Sequence, residues 1–130
     1  MTLHERILRL SAVAASAAAA KKGEGTVVLE VGDILAITDA FVITSATNVR
    51  QVRSIAEDVE DAVSAAGGPK PLRVEGLDDA RWVLLDYGEF VVHVFLDETR
   101  RFYDLERLWS DAPPVDWEGR SPSRPAAAPA

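Results

Sequence analysis

Near the start of the chain apolar residues recur at helical spacing: Leu3, Ile7, Leu10, Ala14 and Ala17. Thr2 and Glu5 form a capping box ahead of this stripe, and Lys21, Lys22 and Gly23 suit its end. Residues 26–31 then read as a strand closed by a Gly32-Asp33 turn, and residues 40–45 as a second strand. Asn48 and Gln51 make another capping pair. They open a long helix with Val49, Val52, Ile55, Ala56, Val59, Ala62 and Val63 as its buried stripe, stopped by Gly67-Gly68-Pro69. Residues 81–86 and 90–96 are apolar at nearly every position, which predicts central strands covered on two faces. A tight turn at Tyr87-Gly88 joins them, and Arg73-Val74 adds a short edge strand. A last helix, from near Asp97, is expected to carry Phe102, Leu105, Leu108 and Trp109 on one side.

The order α-β-β-α-β-β-β-α predicts an α+β fold, a mixed sheet of about five strands with helices packed on it. The domain is expected to span residues 1–112. Beyond Asp111 the composition changes, and five of the seven prolines fall in residues 113–130. Such a segment buries too little apolar surface to offset its ordering entropy, so a disordered Pro/Ala-rich tail is expected there. Trp117 is its one large apolar residue.

Composition narrows the function. A chain of 130 residues suits one domain with one modest core. There is no cysteine, which removes disulfides, thiolate nucleophiles and Cys-based zinc sites and suits a reducing, cytoplasmic setting. The longest mainly apolar stretch, residues 10–20, is too short to span a bilayer and ends in Lys21-Lys22. The net charge of −7 disfavours free nucleic acid as primary partner and favours a basic protein.

Trp82, Asp86, Tyr87 and His93 form the most informative constellation. With Tyr87-Gly88 as a two-residue hairpin loop, Asp86 faces Glu89 and Trp82 faces His93 across the strand pair. Aromatic residues on a rigid hairpin suit the centre of a protein interface; the plainer role is filling a sheet face, with Asp86 holding the turn. Asp86, His93 and Ser45 could also be read as acid, base and nucleophile, but no G-x-S-x-G elbow accompanies them. Asp33, Asp39 and Asp86 are the candidates for a nucleotidyltransferase magnesium site, without a glycine-rich phosphate loop before them. His4 and His93, the two histidines, fall in different elements and suggest no metal site. No cofactor is implied. Glu57, Asp58, Glu60 and Asp61 read as a solvated helix face. Arg6, Arg9, Lys21 and Lys22 suit either the helix dipole or the rim of an interface.

Three stretches together resemble the ribosomal silencing factor (Iojap-like) family. The first is Asp33-Ile34 with Ile37-Thr38-Asp39-Ala40-Phe41-Val42-Ile43; the second is Gln51-Val52-Arg53-Ser54-Ile55-Ala56. The third and most specific comprises Glu75-Gly76, Trp82-Val83-Leu84-Leu85-Asp86-Tyr87-Gly88, Val91-Val92-His93-Val94-Phe95 and Arg101-Phe102-Tyr103-Asp104-Leu105-Glu106-Arg107-Leu108-Trp109. Thr44-Ser45-Ala46-Thr47 stands where relatives often have a glycine-containing turn, and Ala40 where they often have an aromatic residue. The resemblance implies a nucleotidyltransferase-like topology without the catalytic site. It also implies a translational repressor that binds ribosomal large-subunit protein fourteen, blocks joining of the small subunit and lowers translation under nutrient limitation. Trp82, Asp86, Tyr87, Gly88, His93 and Phe95 are the expected partner-binding residues. A rim contact of Arg6, Arg9, Lys21 and Lys22 with ribosomal RNA and a homodimer through the hairpin face are further arrangements in keeping with the resemblance, and a divergent nucleotidyltransferase is the alternative reading of function.

Overall fold

The structure is a computed structural model that describes residues 1–119. Helix α1 (Leu3–Ala20) leads into strands β1 (Glu24–Glu30) and β2 (Ala40–Ala46), followed by α2 (Val49–Ala65). Strands β3 (Arg73–Glu75), β4 (Trp82–Asp86) and β5 (Phe90–Leu96) precede two short helices, α3 (Asp97–Tyr103) and α4 (Leu105–Leu108). The five strands form one mixed sheet in the order β1-β2-β5-β4-β3, with β2 and β5 parallel and the other neighbours antiparallel. This is the α+β architecture expected from the order of elements.

Both long helices begin as their caps dictate. Thr2 Oγ1 accepts the Glu5 N–H at 3.1 Å, and Asn48 Oδ1 accepts the Gln51 N–H at 2.9 Å, each satisfying an otherwise orphaned first-turn donor. The Gln51 amide also donates to the carbonyls of Lys21 and Lys22, tying the start of α2 to the end of α1. The α2 stripe is Val52, Ile55, Ala56, Val59 and Val63; Val49 stays exposed and Ala62 half-buried. In α1 the burial is wider than a stripe. Leu8, Ala12, Val13 and Ala15 are covered along with Ile7, Leu10 and Ala14, whereas Leu3 is exposed. Small alanines let this helix sit close to α2 and the sheet together.

The sheet separates two clusters by strand parity. Ala40 and Val42 of β2, Phe90, Val92 and Val94 of β5, and Val83 and Leu85 of β4 face α1 and α2. Phe41, Ile43 and Phe95 face the other way, with Leu29 and Val31, and there they meet Leu105, Trp109 and Ala112. Strand β2 is buried along its whole length and β5 lies at the sheet centre, as its sequence predicts. In β4 only Val83 and Leu85 are buried, so that strand is covered on one face rather than two.

Two further expectations are corrected. The last helix is not continuous: Asp104 adopts a left-handed φ of 47° and separates α3 from α4. Leu105 and Trp109 therefore turn inward, while Phe102 and Leu108 are left in solvent at 80% and 71% exposure. Residues 113–117 are not a free tail. The Glu30 N–H donates to the Pro113 carbonyl and the Val115 N–H to the Val28 carbonyl, both at 2.8 Å, around a bridge between Leu29 and Pro114. The Trp117 indole donates to the Thr26 carbonyl at 3.2 Å, and Val115 and Trp117 pack on the helix-side core. This strap covers the β1 edge, and its prolines offer no N–H to a further strand. The rest of the expected tail, residues 120–130, lies outside the described residues.

Candidate partner-binding face

The β4–β5 turn has two loop residues, as expected from sequence, but lies one residue later. The Tyr87 N–H donates to the Phe90 carbonyl at 3.0 Å, which leaves Gly88 and Glu89 as the two loop residues. Gly88 takes the first position with φ 81°, where a side chain would be strained and glycine is favoured. Asp86 faces Val91 and not Glu89, and Trp82 faces Phe95 and not His93. The displacement amounts to two residues in the pairing, so no side chain changes face. Trp82 and His93 remain diagonal neighbours, and the Trp82 Nε1–H donates to His93 Nδ1 at 3.1 Å.

The six expected partner-binding residues separate accordingly. Trp82 and Asp86 are half-buried on the sheet face away from α1 and α2. His93 and Phe95 lie on the same face but are buried beneath Trp82, His93 at 4% exposure. Burial pushes the His93 imidazole down to about 4, so it is neutral at ordinary pH. Tyr87 is the clearest correction. It points to the opposite face, is 5% exposed and belongs to the core under the helices. Burial, and secondarily the charge of Glu60, pushes its phenol above the usual range. Asp86 holds the turn, accepting the Gly88 N–H at 2.8 Å and pairing with Arg73 across the strands at 3.1 Å.

Other residues complete the surface around Trp82. Its ring lies 4.9 Å from that of Tyr103, which meets Phe102 edge-on at 5.0 Å. Tyr103 is 53% exposed, so Trp82, Tyr103, Phe102 and Leu108 form one apolar tract along the open side of the sheet. Beside it lies a shallow cleft of about 580 Å³, walled on the far side by Gly76 and Asp79. Gly76 has φ 87°, and a Cβ there would collide with the Trp82 carbonyl oxygen. Arg53 of α2 fixes this wall, donating from Nε to the Leu77 carbonyl at 3.0 Å and from Nη2 to that of Asp78 at 2.6 Å. Phe102, Tyr103 and Leu108 escape a periodicity argument because the break at Asp104 carries no glycine or proline to announce it.

The catalytic constellations do not assemble. Ser45 Oγ accepts from Arg100 Nη1 at 3.0 Å, and His93 Nδ1 is taken up by Trp82. Asp33 and Asp39 line a cleft with His4 and Glu30, away from Asp86, which is engaged by Arg73 and Gly88. Among the described residues no group of three or more His, Cys, Asp or Glu side chains is placed to hold a metal ion. His4 pairs with Glu30 at 3.0 Å. Of the basic residues of α1 and its end, Lys21 pairs with Asp58 and Arg9 donates to the Ala66 carbonyl, while Arg6 and Lys22 stay exposed. No described helix is long and apolar enough to cross a membrane.

The fold and this face define an α+β domain whose five-stranded sheet is sealed by helices on one side and half open beside an aromatic tract on the other. Comparison with known proteins agrees. The family described as "Ribosomal silencing factor during starvation" matches residues 4–130. A "Ribosomal silencing factor RsfS" from Halalkalibacterium halodurans is 43% identical over 99 residues, covering 76% of this chain and 84% of the relative. "Mitochondrial assembly of ribosomal large subunit protein 1" from Mus musculus is 33% identical over 86 residues, covering 64% of this chain and 37% of the mouse protein. A crystal structure of a Chromobacterium violaceum protein superposes with a TM-score of 0.75 at 30% identity, covering 85% of this chain and 88% of that one. The chain belongs to the family of ribosomal silencing factors during starvation.

Proposed function

We propose that this protein represses translation by docking its half-open sheet face on the large ribosomal subunit, through ribosomal large-subunit protein fourteen, so that the small subunit cannot join. The observation that carries this reading is the tract Trp82–Tyr103–Phe102–Leu108, an exposed aromatic and apolar surface in a member of a ribosome-silencing family. The mouse relative, named for assembly of the large mitochondrial ribosomal subunit, supports the choice of subunit. Steric exclusion needs no substrate turnover. Burial of aromatic side chains at the centre of the contact supplies most of the affinity. The chain's net charge of −7 speeds encounter with a basic partner.

Sedimentation of the purified protein with isolated subunits through a sucrose gradient tests the reading. Recovery with the large subunit alone is expected, and loss of that recovery in Phe102→Asp and Leu108→Asp. Both side chains are solvent-exposed, so these variants should fold. Equal recovery on both subunits, recovery on neither, or undiminished binding by the folded variants would overturn it.

A further inference from the structure

The sequence places His93 on the partner surface, yet it is buried. The polar atoms of its ring are instead divided between the surface and the core. Nδ1 accepts the Trp82 indole N–H at 3.1 Å, which places the ring proton of the neutral imidazole on Nε2. Nε2 is buried with no hydrogen-bond partner among the described residues. The Phe41 ring meets the imidazole in an edge-to-face contact at 4.7 Å and 81°. Across the sheet His93 is flanked by Ile43 of β2 and Leu84 of β4.

A leucine or phenylalanine would fill such a site without stranding a buried polar atom, a cost of about 1–3 kcal/mol. The imidazole therefore calls for a reason beyond packing, and the bond to Trp82 supplies one. Buried indoles usually hydrogen-bond through their N–H; that of Trp82 does so, whereas that of Trp109 has no partner among the described residues. The other rings against Trp82, those of Phe95 at 4.8 Å and Tyr103 at 4.9 Å, present faces and edges. His93 Nδ1 is the side-chain acceptor that holds the indole in this orientation.

We propose that His93 is a positioning residue, which fixes Trp82 in the orientation that a partner meets. The role rests on the docking face proposed above. A ring already fixed loses little freedom when it is covered, so more of its burial appears as affinity. Without the acceptor the indole N–H must turn toward water and the ring leaves its place between Phe95 and Tyr103.

Two replacements separate positioning from packing. His93→Phe keeps a planar ring and removes the acceptor, whereas His93→Asn carries a carbonyl oxygen close to the position of Nδ1. The indole N–H resonance of Trp82, assigned with Trp82→Phe, reports the bond in the free protein. Sedimentation with isolated large subunits reports its consequence. In folded His93→Phe the indole proton should exchange faster with solvent and large-subunit affinity should fall about tenfold, the equivalent of about 1.4 kcal/mol. His93→Asn should restore both readouts most of the way, even if its melting temperature stays low; a merely structural role would move the melting temperature alone. Unchanged indole exchange in His93→Phe overturns the assignment, as does full affinity in that variant or absence of rescue in folded His93→Asn. If His93→Phe does not fold, Trp82→Phe tests the bond from the donor side, and full affinity there overturns the assignment equally. Failure of the wild-type protein to sediment with the large subunit, with the indole shielded by His93 as described, strikes the docking face and removes the role with it.

Discussion

The ring of Tyr87 lies flat on that of Phe90, with centroids 4.6 Å apart and planes within 10°, on the helix-covered side of the sheet. This stack makes Tyr87 a core residue although its neighbours in sequence form the hairpin turn. Tyr87→Ala should therefore cost about 3 kcal/mol or more of folding stability, the range for truncating a buried aromatic ring. The Tyr87 hydroxyl is buried without a partner among the described residues, so Tyr87→Phe should keep or slightly raise stability. Urea unfolding checks both. An Ala variant that unfolds at the wild-type midpoint would show that the ring is outside the core.

The strap of residues 113–117 makes a second prediction. Its hydrogen bonds and the packing of Val115 and Trp117 tie it to β1 and the core. Truncation after Ala112 should lower the melting temperature by roughly 10 °C or more, the shift produced by a few kcal/mol in a domain of this size. Trp117→Ala alone should account for about half of that loss. A truncated protein that melts with the wild type would return the segment to the status of a dispensable tail.

Arg100 fastens α3 to the sheet. It donates to the carbonyls of Glu24 at 2.8 Å and Gly25 at 2.7 Å, and from Nη2 to Glu106 at 2.9 Å. Its side chain is only 14% exposed. Arg100→Met should destabilise by about 1–2 kcal/mol, because it leaves the partly buried Glu106 carboxylate without its charge partner, while water can replace it at the exposed Glu24 and Gly25 carbonyls. Glu106→Gln keeps an acceptor and should cost less than half as much. Chemical denaturation with both variants is the measurement, and equal small losses would argue that α3 is held by its other contacts.

His93 gives stability a pH dependence of definite sign. Burial holds its folded-state value at about 4, against 6.5 for an imidazole in water. Between those values the unfolded chain carries the proton and the folded chain does not, so stability falls as pH drops from 6.5 toward 4 and the loss levels off below that. Between pH 7 and pH 4.5 the wild type should lose roughly 2–3 kcal/mol more than His93→Phe, in which this group is absent. Parallel pH dependences in the two proteins would show that the imidazole titrates in the folded state as it does in the unfolded chain.

Local patterns along the chain determined most of the architecture. The caps at Thr2 and Asn48, the α2 stripe, β5 and the parity of the sheet faces are all short-range features. They follow from hydrogen-bond donors that need a partner within a few residues and from the fixed helical and strand periods. The aromatic tract was legible only through Trp82. Tertiary structure decided the rest. The turn moved by one residue because Gly88 had to occupy the first loop position, and that set which residues Trp82 and Asp86 face. Tyr87 went inward because the opposite sheet face needed an aromatic ring against Phe90, a demand made by the neighbouring strand and helices. Residues 113–117 gained order from the unpaired edge of β1, a strand more than eighty positions earlier in the chain. Composition cannot signal such a partner, since the free energy that orders the segment comes from backbone groups and core surface brought near only by the fold.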